Sequence, residues 1–97
     1  MAFLQIIEGK TSKMDELMEL DAQWEKATEG KRTLQRSLVA RDRNDPDRYV
    51  ILAFFDSYES AMENSNLPET QEFAQKQAAL IDGPMTFRDL DVIDERP

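Results

Sequence analysis

Tyr49-Val50-Ile51-Leu52-Ala53-Phe54-Phe55 is the longest uncharged apolar run in the chain. Aromatic and β-branched residues dominate it, and turn-forming residues stand on both sides, so it reads as a strand. The run does not alternate between apolar and polar. Val50, Leu52 and Phe54 fall on one face, and Tyr49, Ile51, Ala53 and Phe55 on the other. A strand that is apolar on both faces needs a cover on each. In a chain of 97 residues, with room for one modest core, the second cover is the main question.

Upstream, Asn44-Asp45-Pro46-Asp47 reads as a tight turn, because proline presets φ at its second position and Asp45 can bond back to the backbone. Thr33–Arg43 before it reads as a strand antiparallel to the first. Arg36 is expected on a face with Leu34 and Leu38, either reaching out to water or meeting an anion in a half-apolar site. Downstream, Asp56-Ser57 caps a short helix, Tyr58–Asn64, and a polar break leads to Pro68 in the first turn of another. That helix is expected to reach about Ile81, with Thr70, Phe73, Ala74, Gln77 and Ile81 on one stripe. Asp82-Gly83-Pro84 stops it, and Met85–Asp94 forms the last strand.

At the other end, Ala2–Glu8 reads as a strand in which Gln5 shares a face with Phe3 and Ile7. Gln5 is either a solvent-facing position near the sheet's end or an amide aimed into a pocket. Ser12 with Asp15 suggests a capping box for a helix from Lys13 to about Thr28, and Gly30 supplies its stop. Met14, Leu17, Leu20, Trp24 and Ala27 form its apolar stripe, and Asp21 falls on that stripe. At the stripe's edge Asp21 reaches water; facing a cavity, desolvation raises its pKa and suits it to general-base work. Trp24 serves as core or as a platform for a flat ring.

Composition removes many chemistries. The net charge of -8 opposes phosphate-backbone binding, so no nucleic-acid partner is expected. With no histidine and no cysteine, Ser-His and Cys-His nucleophiles and histidine-bound haem are excluded. Asp89 and Asp91 share a strand face, but two carboxylates alone are a weak cation site, so no metal is expected. No stretch has the length of a membrane span or the pattern of a signal peptide, which makes a cytoplasmic address the expectation.

Strand, helix, strand, strand, helix pair, strand is a split β-α-β order. It predicts one α+β domain over 1–97, with a ferredoxin-like βαββαβ fold and a four-stranded antiparallel sheet. Helices cover one face of such a sheet and leave the other open. An open face lined by this central strand is a large apolar patch, and a second copy is its simplest cover. A homodimer through the open sheet face is therefore expected.

Tyr49–Ser57, Glu59-Ser60-Ala61, the Phe73 helix and Phe87–Val92 together resemble the antibiotic biosynthesis monooxygenase type of dimeric α/β-barrel protein. The resemblance spans nearly the whole chain. It implies a small-molecule cavity between sheet and helices, a hydrophobic or aromatic ligand, and oxidation by dioxygen without a cofactor. Some members of the group degrade haem and others isomerise lactones. Many carry histidines on the helix pair; here that neighbourhood holds Asn64-Ser65 and Glu72-Phe73. Under the resemblance Asp21 becomes the candidate base and Asn64 the group that polarises a substrate oxygen. Arg36 would hold the resulting anion, Trp24 and Phe73 would sandwich a ring, and Gln5 would line the pocket. The missing histidines leave open a non-catalytic binding dimer, and a lactone isomerase or decarboxylase is a third possibility.

Overall fold

The computed structural model describes residues 2–97. Strand β3 (Arg48–Phe55) lies inside a four-stranded antiparallel sheet of order β2-β3-β1-β4. Its neighbours are β1 (Phe3–Lys10) and β2 (Arg36–Arg41), and β4 (Thr86–Asp91) forms the far edge. Helix α1 (Met14–Ala27) connects β1 to β2, while α2 (Tyr58–Ser65) and α3 (Pro68–Ala78) connect β3 to β4. This is the expected ferredoxin-like order, with a helix pair in place of the second helix.

The register shows how the two faces of β3 are used. Tyr49, Ile51, Ala53 and Phe55 pair with Gly9, Ile7, Gln5 and Phe3 of β1, so these residues share the face turned toward the helices. Phe3, Ala53 and Phe55 are buried there with Ala61 of α2, and Leu34 and Met62 pack against them. On the opposite face Leu4, Ile6, Val50, Leu52 and Phe54 are only partly covered, and Leu38 is exposed. Among the described residues the fully apolar core is small: Phe3, Leu17, Tyr49, Ala53, Phe55 and Ala61.

Local bonds explain where elements start and stop. The turn before β3 forms as expected: the Arg48 N–H donates to the Asp45 carbonyl at 2.9 Å, and the Asp45 side chain accepts from the Asp47 N–H. Ser57 caps α2 by accepting from the Ser60 N–H, and Pro68 opens α3.

Several expected boundaries move: β1 runs on to Lys10 rather than Glu8, β2 ends at Arg41 rather than Arg43, and β4 is shorter than the expected Met85–Asp94. β2 begins at Arg36 rather than Thr33, because the Thr33 N–H donates to the Asn64 side chain and its hydroxyl to the Ser60 carbonyl. Those bonds draw Thr33 toward α2, and the chain rejoins β3 only at Gln35, whose N–H donates to the Phe54 carbonyl at 2.9 Å. α3 ends at Ala78 rather than Ile81, where the Thr11 hydroxyl takes the Leu80 carbonyl at 2.6 Å. The Ser12 capping box does not form: Thr11 Oγ1 accepts from the Lys13 N–H, and the Ser12 N–H donates to Asp82. Asp82 in turn donates its N–H to the Lys10 carbonyl. The chain leaving α3 is thereby fastened to the chain entering α1.

One close approach requires glycine. A Cβ at Gly9 would lie 2.8 Å from the Tyr49 hydroxyl oxygen and 3.1 Å from ring carbon Cζ. Tyr49 is 0% exposed and cannot swing aside into solvent. Gly9→Ala is expected to destabilise the fold by about 1–3 kcal/mol, the usual cost of overpacking. Adding Tyr49→Phe removes the nearest atom and should recover part of the loss; urea denaturation of the single and double variants checks both.

Candidate functional site

Between the helix-facing side of the sheet and the three helices lies a cavity of about 120 Å³. The central strands supply its apolar floor through Ile7, Ile51, Ala53 and Phe55. Polar groups enter from several elements: Gln5 from β1, Asp21 from α1, Asn64 from α2, and Thr70 and Gln77 from α3. Trp24 and Phe73 complete the helix wall. Asp21 is the one ionisable residue among those lining the cavity, and no lysine or arginine borders it.

The wall is held by a direct α1–α3 tie. Trp24 Nε1–H donates to Thr70 Oγ1 at 2.9 Å, and the Trp24 and Phe73 rings meet at 6.2 Å between centroids, inclined by 53°. Thr70 accepts in this bond, so its own hydroxyl proton stays free to donate. Asn64 is 7% exposed, and its carboxamide oxygen accepts the Thr33 N–H at 3.2 Å. A backbone N–H needs an oxygen acceptor, which fixes the orientation of this amide and leaves its NH2 group for other partners. Gln5 donates its NH2 to Asp89 at 3.1 Å, leaving its carbonyl oxygen as an acceptor.

Asp21 is half-buried, and its pKa is raised above the ordinary carboxylate value. Burial is the main cause, because removing a carboxylate from water disfavours its charged form; the nearby Glu25 charge adds to the effect. A carboxyl shifted in this direction is a better proton acceptor when ionised than a solvated aspartate.

Asp21, Asn64, Trp24, Phe73 and Gln5 thus border one cavity. Arg36 stands apart from them. It pairs with Phe54, so strand parity puts it on the open sheet face, where its guanidinium lies 5.4 Å from the Phe54 ring centroid. The expected shared face with Leu34 fails because β2 starts only at Arg36, and Leu34 turns inward to the core. Arg36 borders instead a groove of about 330 Å³ beside α1 and β2, together with Arg32 and Glu25. Groove and cavity share Asp21, Trp24, Leu34 and Ser37, so these side chains form the partition between them.

Thr70 and Gln77 were not singled out by sequence reasoning as site residues. Their signal was present: polar side chains on the stripe of Phe73, the same kind of intrusion that marked Gln5.

No protein-family model and no curated protein matches the sequence. Solved structures do match. SnoaB, a cofactor-independent oxygenase from Streptomyces nogalater, aligns with a TM-score of 0.83 at 13% identity, covering 99% of this chain and 97% of that one. Rv0793 from Mycobacterium tuberculosis aligns with a TM-score of 0.81 at 13% identity over 100% of both chains. A structure named antibiotic biosynthesis monooxygenase gives a TM-score of 0.77 at 12% identity, covering 95% of this chain and 99% of that one. The chain therefore has the ferredoxin-like α+β fold of the antibiotic biosynthesis monooxygenase structures.

Proposed function

We propose that the protein is a cofactor-independent monooxygenase acting on an aromatic or polyketide-like small molecule. The observation that carries this reading is one carboxylate with a raised pKa, set alone among neutral amides, hydroxyls and aromatic rings. The fold likeness to an oxygenase described as cofactor-independent supports it. Asp21 would remove a proton from an acidic C–H or O–H of the substrate, and the Asn64 NH2 group would donate to the oxygen that gains negative charge. Trp24 and Phe73 would hold the ring and keep water out. The electron-rich anion would then react with dioxygen itself. When a ring CH2 becomes C=O, the substrate supplies four electrons, one oxygen atom stays on carbon, and the other leaves as water.

Size restricts the substrate. An apolar cavity of roughly 150 Å³ accommodates benzene, so about 120 Å³ suits no more than one ring. A polycyclic substrate would have to part Leu34 and Ser37 and lie partly in the adjoining groove.

Two further parts belong to the same reading. The chain would act as one domain in a homodimer, because the open face offers Leu4, Ile6, Leu38, Val50, Leu52 and Phe54 without a helix over them, while the monomer's own core is small. No helix among the described residues is long and apolar enough to cross a membrane, and we place the protein in the cytoplasm. A non-catalytic binding dimer is favoured by one specific feature: the position of Arg36 leaves no cation in the cavity to hold an anionic intermediate.

Three measurements test these points. With an anthrone or quinol under air, Asp21→Asn should slow oxygen consumption by about a hundredfold or more while ligand binding persists; equal rates would remove Asp21 as the base. Turnover of a lactone or acid without oxygen would point to isomerisation or decarboxylation instead.

The raised pKa of Asp21 also has a sign in stability. The folded chain keeps this proton to higher pH than the unfolded chain, so stability declines as pH rises from the ordinary carboxylate pKa through the raised one. Asp21→Asn should therefore raise the melting temperature near neutral pH and have little effect below about pH 3. Thermal denaturation across pH reads this directly.

For assembly, sedimentation at low micromolar concentration should show a dimer. Leu52→Arg on the open face should convert it to a monomer or prevent folding. A monomeric wild type would end the dimer proposal.

A further inference from the structure

Two amides of the cavity are held in defined and opposite senses. Gln5 Nε2 donates to Asp89 Oδ1 at 3.1 Å. An ionised carboxylate only accepts, so the end of the Gln5 carboxamide turned to β4 has to be its NH2 group. In the register Gln5 stands between Asp89 of β4 and Ala53 of β3. With the nitrogen committed on the β4 side, the oxygen lies toward β3, above Ala53, whose single methyl leaves space on the cavity floor. Asn64 is fixed the other way round: its oxygen takes the Thr33 N–H and its NH2 group remains. Thr70, also on the helix wall, accepts from Trp24 and keeps a proton to donate. The cavity therefore has an acceptor on the sheet and donors on the helices.

We propose that Asp89 sets the polarity of the site by holding Gln5 as a hydrogen-bond acceptor. The ligand that fits is a neutral single ring with a hydroxyl at one edge and a proton-free acceptor oxygen at another. Its hydroxyl donates to Gln5, and its acceptor oxygen takes the Asn64 NH2 group or the Thr70 hydroxyl. An amide oxygen does not remove a proton, so the hydroxyl bound at Gln5 is an anchor rather than the reacting group. Chemistry falls to Asp21, which enters from α1 and also borders the groove beside β2. Anionic ligands are disfavoured, because Gln5 offers them an oxygen and no lysine or arginine borders the cavity. Gln5 determines specificity by direct contact. Asp89 is exposed and lies outside the cavity lining, so it is a positioning residue that acts through Gln5. The proposal rests on the ligand occupying this cavity, as the proposed function does, and not on the ligand being oxidised there.

Isothermal titration calorimetry of the full chain compares ligands of one shape. Para-methoxyphenol has both the donor and the acceptor. Para-methylanisole keeps only the acceptor, and para-ethylphenol keeps the hydroxyl but lacks the second oxygen. Para-methoxyphenol should bind about tenfold more tightly than either, the usual worth of one hydrogen bond. Gln5→Met should cancel its advantage over para-methylanisole and keep its advantage over para-ethylphenol; Gln5→Leu serves if the methionine variant does not fold. Asp89→Asn should weaken the same advantage without changing the melting temperature, because an amide at that position can meet Gln5 with either end. Asp89→Glu, again an acceptor only, should restore it. Equal binding of para-methoxyphenol and para-methylanisole to the unaltered chain overturns the proposal, as does binding of none. So does a hydroxyl preference that survives in the Gln5 variants, or one that Asp89→Asn leaves intact. Hydroxyl-selective binding through Gln5 without oxygen consumption on any quinol would defeat the oxygenase reading alone. Oxygen consumption together with a hydroxyl preference indifferent to Gln5 and Asp89 would defeat this one alone.

Discussion

The demand that β3 be covered on both faces governs the rest of the molecule. Fully burying a large apolar side chain contributes roughly 1.5–3 kcal/mol, and β3 carries such residues in both directions. Helices satisfy one side, where Tyr49, Ala53 and Phe55 are buried. The other side keeps Val50, Leu52 and Phe54 only partly covered. A sheet built this way divides its two faces between separate tasks. The helix side can shape a cavity, and the outer side supplies the surface that a second copy would bury.

The cavity survives because its walls are tied across it rather than collapsed into it. The bond from Trp24 to Thr70 fixes the spacing of α1 and α3. Asp21, one turn before Trp24, is then held partly out of water, where its charge is unfavourable. The Asn64 amide that shares the cavity is similarly underused, with only its oxygen committed. Sites that keep polar groups unsatisfied sacrifice some stability, and a ligand that completes the bonds restores it.

Much of the fold was legible because it depends on near neighbours. The turn at Asp45-Pro46, the Ser57 cap and the Pro68 helix start are local patterns, and each formed where its residues stand. Errors arose where distant residues intervened. Thr33 left the sheet for Asn64, and Thr11 shortened α3 at Leu80; no periodicity within either segment signals such bonds. The Arg36 misassignment has the same origin, because losing residues 33–34 from the strand put Leu34 and Arg36 on different sides. The cavity-lining residues were easier. A polar or charged side chain on an apolar stripe identified Gln5 and Asp21, and would equally have identified Gln77.

The bonds among Thr11, Ser12, Leu80, Asp82 and Lys10 have a mechanical consequence. They pin the start of α1 and the exit from α3 to each other, so at that end the two helices cannot part. The opposite end of α1 runs into Gly30 and residues 31–34, which precede the sheet ladder. That end is fastened too, by Trp24 to Thr70 and by Lys31 to Glu69 at 2.6 Å, so α1 and α3 are buckled together at both ends and sit over the sheet as one piece.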